Sequence, residues 1–408
     1  WSQEVLDGGI AVPVDSDKDG SLLAAARAER GGSSVAGGSV NLFREYPFRD
    51  SRTADGVRPW TDWMALYPFL DRINAAGVPA FLVGGFLDFF SRDMFLWYEN
   101  LTVPRKLLMR RVDHHGLEGK ARDMDFSLEA LRWYDRWLKG TENGVLQEAP
   151  VRVYVSGTGG RGEWRSVPRW PVPGARFCRF HLGGPEGPRE LRGSLAGTGG
   201  LSSDAPAGNG WDTFRPPEPG AGTYAATTGN RSRWTAVNWG TDYTLRRAEP
   251  DCVLQYETEP LEAGVEIIGH PVVNLRLDAD SRDADVFVYL DRVDTSGRRV
   301  EYLSEGMLRA SFRGTYTPPF RYLGLPYRRY FEADRVPLEP GKPEDLRFDL
   351  LPLAANLEPG ERLRLTIAFS DDDNFEPPLG DPPPSVRILR GPGSVSWIDL
   401  PVVRGHLP

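Results

Sequence analysis

Apolar residues in the first third of the chain alternate between strand-like runs and helix-like stripes. Residues 78–88 (VPAFLVGGFLD) and 106–116 (KLLMRRVDHHG) predict two short strands. Residues 89–101 and 125–138 predict two helices, with apolar stripes at Phe90, Met94, Trp97 and Leu101 and at Leu128, Leu131, Tyr134 and Leu138. Strands alternating with helices predict a parallel sheet that is covered on both faces. Only two such strands are present, so we expect the beginning of the sheet to lie elsewhere.

The pattern changes on either side of this α/β segment. Residues 1–76 are rich in helix formers, loops and aromatic residues. After Pro150 the chain consists of short β-rich runs that Gly/Pro-rich turns separate, with a Gly/Pro/Ser-rich stretch at about residues 184–232 that predicts a surface excursion. No long helix intervenes, which predicts an all-β sandwich of the jelly-roll type.

Composition narrows the class of protein. The 408 residues are 40% hydrophobic and 26% charged, and no apolar run is long enough to span a membrane, so we expect a soluble protein of cytoplasmic or secreted bacterial type. A net charge of −8 with scattered basic residues argues against a nucleic-acid partner. Cys178 and Cys252 decide neither the compartment nor the redox state.

Each predicted strand ends in a residue that serine hydrolases use. The first delivers Asp88 and the second delivers His114 and His115, in the order acid then histidine that α/β-hydrolases follow. The nucleophile should precede both in a G-x-S-x-G elbow, and no such elbow occurs; the serines that come nearest to one are Ser33, Ser39 and Ser194. Because the chain begins at Trp1 and not at Met, we expect an upstream part with the elbow to have been removed or left out.

Simpler roles compete for these residues. Asp88 could cap the helix that follows it, and the histidine pair could belong to an exposed loop. Residues 15–20 (DSDKDG) match the first half of a calcium loop, but the twelfth position is Ala26 instead of Glu, which favours a turn and a helix cap. An acidic cluster at residues 371–376 is interpreted as solvated. We expect neither a metal nor a cofactor.

Several segments, in order along nearly the whole chain, carry a family resemblance. They are residues 67–101, 131–145, 150–155, 258–261 (TEPL), 304–313 (SEGMLRASFR) and 357–365 (LEPGERLRL). They resemble the cocaine esterase-like hydrolases, a family that includes X-Pro dipeptidyl-peptidases, α-amino acid ester hydrolases and glutaryl acylases. The resemblance implies the C-terminal part of an α/β-hydrolase: a helical cap region at residues 1–76, the end of the hydrolase core at 77–146 and a jelly-roll β-sandwich at 147–408.

The same resemblance implies a function. Asp88 would orient the catalytic histidine, and the register favours His114 over His115 for that role. Phe86 and Phe89 could line an acyl pocket for a small ester or amide. The nucleophilic serine would come from an N-terminal polypeptide that proteolytic processing or a split gene separates from this chain, giving a heterodimer.

Two departures from the family pattern leave alternatives open. Where the family has Gly-Pro-Trp-x-His, this chain has residues 110–114 (RRVDH), which place two cations and Asp113 beside the histidine. Residues 84–88 (GGFLD) replace Gly-Gly-Trp-Tyr-Asp and keep an apolar wall. The first departure supports a catalytically inactive relative that serves binding or assembly. A second alternative makes the β-sandwich a carbohydrate- or peptide-binding module.

Overall fold

The fold is described from a computed structural model, and it divides into two compact units. The smaller unit comprises residues 1–68 and 329–335, and the larger comprises residues 69–328 and 336–408. The residues described are 17–25, 45–63, 65, 67–113, 126–191, 199–215, 253–371, 375, 384–392 and 396–405.

In the smaller unit, an aspartate starts a helical turn at residues 21–25. The carboxylate of Asp17 accepts hydrogen bonds from the backbone N–H groups of Leu22 (2.9 Å) and Leu23 (2.8 Å). These bonds satisfy donors that the first turn of a helix leaves without partners. Asp17 therefore acts as a cap, as the interpretation of a turn and a helix cap predicts, while Asp15 lies outside the described residues.

The other described residues of the smaller unit include two short helical turns. Pro59–Trp63 form a π-helical turn in which the Trp60 indole N–H donates to the carbonyl of Tyr46 (2.5 Å). Glu332–Asp334 form a 3-10 turn. The N–H of Arg49 donates to the carbonyl of Tyr330 at 2.9 Å, which joins the two sequence segments of this unit.

The larger unit begins with the predicted α/β segment. A 3-10 turn at Tyr67–Phe69 precedes α1 (Leu70–Ala76), and then follow β1 (Ala80–Gly85), α2 (Ser91–Asn100), β2 (Arg105–Arg110) and α3 (Phe126–Lys139). Strands β1 and β2 pair in parallel, in a register that runs from Ala80 opposite Arg105 to Gly85 opposite Arg110. The predicted parallel pair of strands is confirmed.

A third strand links this pair to the β-rich remainder of the chain. Strand β3 (Val151–Ser156) pairs in parallel with β2 on one side and antiparallel with β4 (Gly162–Val167) on the other. We call the strands from Val151 onward the β domain. Its first strand is therefore also the third strand of the parallel sheet.

The other strands of the β domain are mostly antiparallel and form a curled sheet. They are β5 (Arg176–Gly183), β6 (Gly187–Leu191), β7 (Gly199–Ser202), β8 (Gly210–Phe214), β9 (Val253–Glu257), β10 (Val265–Gly269), β11 (Val272–Ala279), β12 (Asp285–Val293), β13 (Val300–Arg309), β14 (Glu344–Asp349), β15 (Leu353–Leu357), β16 (Arg362–Ala368), β17 (Val386–Arg390) and β18 (Trp397–Arg404).

One apolar core fills the interior of the curled sheet. It draws on nearly every strand of the β domain, and its fully buried members include Leu254, Ile267, Leu275, Val288, Leu365 and Ile398. The half-buried Cys178 packs against this core, whereas Cys252 lies outside the described residues. None of the helices described is long and apolar enough to cross a membrane.

Helix α2 buries part of its predicted stripe, since Leu101 is buried and Met94 packs against the core, whereas helix α3 buries a different face from the predicted one. Helix α2 buries Phe95, Leu96 and Tyr98, while Phe90 precedes the helix and is exposed. Helix α3 buries Trp133 and stacks it on Phe81 of β1. The predicted stripe of α3 is instead exposed, at 53% for Leu128, 50% for Leu131, 57% for Tyr134 and 78% for Leu138.

Buried charges fix α3 to the sheet. Lys106 of β2 is almost fully buried and forms an ion pair with Glu148, which follows α3, and a longer one with Glu129 of α3 (3.8 Å). Arg132 of α3 pairs with the same two carboxylates. Because a buried cation is costly without a carboxylate partner, this cluster sets the position of α3 along β2.

Helix α2 connects the α/β segment to the β domain. Arg92 forms an ion pair with Asp349 of β14 at 2.9 Å. Phe95 stacks on Trp170 with ring centroids 3.9 Å apart, and the His270 ring meets Phe95 edge-on at 5.7 Å. Burial lowers the pKa of His270 from its ordinary 6.5 to about 4, with a smaller opposing effect from Asp349.

We expect this buried histidine to make the fold sensitive to acid. Between pH 6.5 and about 4, His270 is protonated in the unfolded chain but stays neutral in the folded chain. The free energy of unfolding therefore falls as the pH drops from 6.5 towards 4. The full effect of such a shift is about 3 kcal/mol. Urea unfolding of wild type and His270→Gln between pH 4.5 and 7.5 should show the smaller loss of stability in the variant.

The half-buried His181 offers the control for that measurement. His181→Gln should keep most of the wild-type pH dependence, because burial is the main cause that lowers the pKa of either histidine and His181 is only half-buried. An identical pH dependence in wild type and His270→Gln would contradict the assignment.

Candidate active site

The predicted acid lies in the turn between β1 and α2. The backbone N–H of Asp88 donates to the carbonyl of Gly85 (3.2 Å), and the carbonyl of Asp88 accepts from Ser91 N–H (3.1 Å). Its Oδ1 accepts a hydrogen bond from the N–H of Phe90 at 3.0 Å. The Asp88 side chain thus closes a turn before α2 and does not cap the helix, whose N-cap residue is Phe90. A carboxylate accepts several donors, so this bond is compatible with holding an imidazole as well.

The predicted base lies just beyond the part of the chain that the structure describes. The chain is described as far as Asp113, and both His114 and His115 lie outside the described residues. The pairing of Asp88 with either histidine therefore stays a prediction. The structure does describe the residues just before them, 85–87 and 110–113.

Those two segments are hydrogen-bonded to each other beyond the ends of their strands. The N–H of Phe86 donates to the carbonyl of Arg110 (2.8 Å), and the N–H of Leu87 donates to the carbonyl of Val112 (3.1 Å). The turn that carries Asp88 and the segment that leads to His114 thus leave the same edge of the sheet side by side. The carboxyl ends of adjacent parallel strands are where open α/β sheets place their ligands.

This contact requires a glycine at position 85. A Cβ atom built on Gly85 would lie 2.1 Å from the carbonyl oxygen of Val112, which is main chain and has no rotamer through which to move away. At Gly84 a Cβ would meet side-chain atoms of Met94 (2.5 Å) and Met109 (3.0 Å) instead. Gly84 therefore lets β1 approach the side chains of α2 and β2 closely, and Gly85 lets its own backbone approach that of Val112.

Arg110 and Arg111, which precede the histidine pair, are both largely buried, and Arg111 has an ion-pair partner. The side chain of Arg111 forms an ion pair with Glu301 of β13, with Nη2 and Oε1 2.8 Å apart. Burial lowers the pKa of Arg111, and the charge of Glu301 opposes that effect. Arg110 is also buried. The charge of Arg111 is thus balanced by the β domain, which the sequence did not reveal.

The predicted pocket aromatics have distinct surroundings. Phe86 is buried in the core beside Phe95, with ring centroids 6.0 Å apart. Phe89 is half-buried and contacts the ring of Phe90 at 4.3 Å. Core packing accounts for Phe86 as it stands, and a contact of Phe86 or Phe89 with substrate stays a prediction.

The acidic clusters give no sign of a metal centre. Within the described ranges, no three His, Cys, Asp or Glu residues lie close enough together to hold an ion. Asp371 is buried and accepts a hydrogen bond from the Tyr289 hydroxyl at 2.5 Å. The interpretation of residues 371–376 as solvated was therefore wrong for Asp371, because Tyr289 in the middle of β12 binds that buried carboxylate.

Sequence reasoning missed two residues near the site. Glu301 of β13 forms an ion pair with Arg111, and Tyr302 packs against Leu87. Arg111 lies in the segment that leads to His114, and Leu87 directly precedes Asp88. The available signal was a carboxylate inside the apolar run at residues 300–303 (VEYL), since a charge that is buried in a strand needs a partner. Nothing in the sequence indicates which cation that partner is.

The chain is similar to known proteins over most of its length. Residues 143–390 match the family described as the X-Pro dipeptidyl-peptidase C-terminal non-catalytic domain. Over 394 residues the chain is 31% identical to proteins named as candidate serine esterases in Mycobacterium bovis and Mycobacterium tuberculosis, covering 93% of this chain and 55% of each relative. It is 23% identical over 369 residues to the cocaine esterase of a Rhodococcus species, covering 84% of this chain and 59% of that protein.

Solved structures show the same fold. A CocE/NonD family hydrolase from Staphylococcus aureus superposes with a TM-score of 0.64 at 13% identity, covering 90% of this chain and 59% of that chain. An α-amino acid ester hydrolase superposes with a TM-score of 0.61 at 18% identity, covering 93% and 62%. The chain spans little more than half the length of the mycobacterial relatives that it matches.

We expect Gly85→Ala to damage the site through the backbone. The added methyl group must separate the turn at Gly85 from Val112, and overpacking of this kind costs about 1–3 kcal/mol or more. Urea unfolding at neutral pH measures the cost. In the control Gly200→Ala, the new Cβ meets no atom within 4 Å, so its stability should change by less than about 0.5 kcal/mol. Equal stabilities of the two variants would refute the close-approach argument.

Proposed function

Because the chain belongs to the family of the X-Pro dipeptidyl-peptidase C-terminal domain through residues 143–390, we propose that it works as part of a serine hydrolase. Its own contribution is the acid and the base of the triad, Asp88 and His114. The observation that carries the proposal is the hydrogen bonding of the Phe86–Leu87 backbone to Arg110 and Val112, which brings the two triad-bearing segments together.

The chemistry follows from the roles of such a pair. Asp88 accepts a hydrogen bond from Nδ1–H of His114, which fixes the tautomer and stabilises the imidazolium. His114 takes the proton of the serine hydroxyl as that oxygen attacks the acyl carbon, then returns it to the leaving alcohol or amine. Water then attacks the acyl carbon while His114 takes its proton, and His114 returns that proton to the serine oxygen as the acyl–serine bond breaks and the acid product leaves.

The substrate class follows from the relatives. The similar proteins are named esterases, and the matching family takes its name from a peptidase, so we propose a small-molecule ester or amide as the substrate, with its acyl group transferred to the serine. Phe86 and Phe89 are the proposed contacts of that acyl group. The proposed architecture is a cap region at residues 1–76, the end of the hydrolase core at 77–146 and a jelly roll at 147–408.

The nucleophile is proposed to lie on an N-terminal polypeptide, since residues 1–408 contain no G-x-S-x-G elbow. The state of β1 supports a missing neighbour. In the part of the chain that is described, β1 pairs with β2 alone, and its residues from Ala80 to Gly84 are only half-buried. Strands inside a parallel sheet are buried on both faces and paired on both edges, as β2 is.

The exposed stripe of α3 supports the same partner. Leu131, Tyr134 and Leu138 lie on one side of a helix whose other side covers β1. An apolar stripe of this kind normally faces a neighbouring element of the same layer. A further strand next to β1, with its helix, would cover both the open edge of β1 and this stripe, and we propose that the N-terminal polypeptide supplies them.

We expect a fluorophosphonate probe to label a serine outside residues 1–408 in the assembled protein, and peptide mapping locates that label. In the assembled protein, Asp88→Asn and His114→Ala should each lower kcat for a p-nitrophenyl ester by about 10⁴-fold, because a triad without its acid or base loses that much.

Two control variants sharpen the assignment. His115→Ala should keep the rate, which separates the neighbouring histidines, and Asp71→Asn changes an exposed acid on α1 and should also keep it. A label on Ser33, Ser39 or Ser194 would contradict a nucleophile on the N-terminal polypeptide. Wild-type rates in Asp88→Asn and His114→Ala would contradict the roles proposed for these two residues. An assembled protein without label or turnover would favour the inactive relative.

We expect the double variant Leu131→Ser, Leu138→Ser to bind the N-terminal polypeptide at least tenfold more weakly. Both side chains are exposed in this chain, so their loss should leave its own urea unfolding unchanged and act on association. Titration calorimetry with the purified polypeptide measures the affinity. The control Phe177→Ser removes a similarly exposed side chain from β5 of the β domain and should bind like wild type. Equal affinities of the double variant and wild type would argue against this surface.

A further inference from the structure

Two consecutive residues of β13 contact the two segments that carry the proposed triad residues. Glu301 forms an ion pair with Arg111, three positions before His114. Tyr302 packs against Leu87, which directly precedes Asp88, and both side chains are buried. From these contacts we propose that β13 of the β domain acts as a clamp that sets the distance between the acid and the base. Glu301 is its main positioning residue, and the proposal rests on the function proposed above.

The β domain holds Glu301 rigidly. Its carboxylate is 2% exposed and accepts a hydrogen bond from Gly159 N–H at 3.3 Å. Arg292 of β12 lies opposite Glu301 in the strand pairing, and its Nε is 3.5 Å from Oε2. Arg292 in turn donates from Nη1 to the carbonyl of Asn356 at 2.9 Å. The anion that meets Arg111 is therefore fixed by groups of the β domain alone.

Arg111 transmits this position to the histidine segment. Its side chain is only 14% exposed, so the cation depends on Glu301 instead of on water. The next residue, Val112, accepts the hydrogen bond of Leu87 N–H at 3.1 Å. Fixing Arg111 thus fixes the hydrogen bond between the two segments from the histidine side.

Tyr302 acts on the same hydrogen bond from the other side. It packs on the side chain of Leu87, whose N–H is the donor to Val112. Proton transfer needs heavy atoms about 2.6–3.2 Å apart, and a misplacement of about 1 Å costs on the order of 100-fold in rate. A clamp that holds both segments therefore bears directly on kcat, although neither Glu301 nor Tyr302 touches a reacting atom.

The structural test uses this chain alone. Glu301→Gln keeps the shape of the side chain and removes its charge, so hydrogen–deuterium exchange at residues 85–88 and 108–113 should become at least tenfold faster. The control Glu257→Gln breaks a comparable, partly buried ion pair with Arg364 inside the β domain and should leave that exchange unchanged. Should Glu301→Gln not fold, Arg111→Gln removes the other partner and should speed exchange at the same residues. Unchanged exchange in the folded variants overturns the clamp.

The kinetic test uses the assembled protein with a p-nitrophenyl ester. Glu301→Gln should lower kcat by about 30- to 100-fold with an unchanged KM, and Glu301→Asp should recover part of the loss. Faster exchange with a wild-type kcat overturns the positioning role. Since the exchange measurement needs no turnover, a wild-type assembly without hydrolysis counts against the proposed function, while exchange still decides whether the clamp exists.

Discussion

The close approach of two backbones at Gly85 and Val112 is the constraint on which the candidate site depends. Parallel pairing of β1 and β2 brings their carboxyl ends to one edge, but the pairing alone ends at Gly85 and Arg110. The hydrogen bond from Leu87 to Val112 carries the contact past the strands, and it forms only because position 85 has no side chain. Without it, the turn before Asp88 and the segment before His114 would diverge as ordinary loops do.

The β domain has a structural part in this arrangement although its family is described as non-catalytic. Strand β3 extends the parallel sheet, so the two regions share a hydrogen-bonded ladder. Arg92 and Asp349 then join α2 to β14, and Arg111 and Glu301 join the end of β2 to β13. Each ion pair has a nearly fully buried carboxylate, so separating the regions would leave buried anions without cations.

The sequence predicted those parts of the fold that local patterns determine. Apolar runs in the sequence predicted β1 and β2, and apolar residues at helical spacing predicted α2 and α3. The buried face of α3 was predicted wrongly, because an apolar stripe indicates that something covers it but not which element does so. Here Trp133, outside the stripe, meets Phe81. The pairing of Arg111 with Glu301 was not predictable either, since it joins residues 190 positions apart through the tertiary fold alone.

The departure of residues 110–112 (RRV) from the family's Gly-Pro-Trp bears on whether this chain supports catalysis. Two cations beside a histidine would disfavour its protonated form and so oppose the imidazolium that the reaction needs. The ion pair with Glu301 removes most of that objection for Arg111, because a neutral pair exerts a much weaker field than a lone cation. A buried arginine needs such a partner whether or not the chain is catalytic, so the ion pair removes an objection to a working triad and is not itself evidence for one.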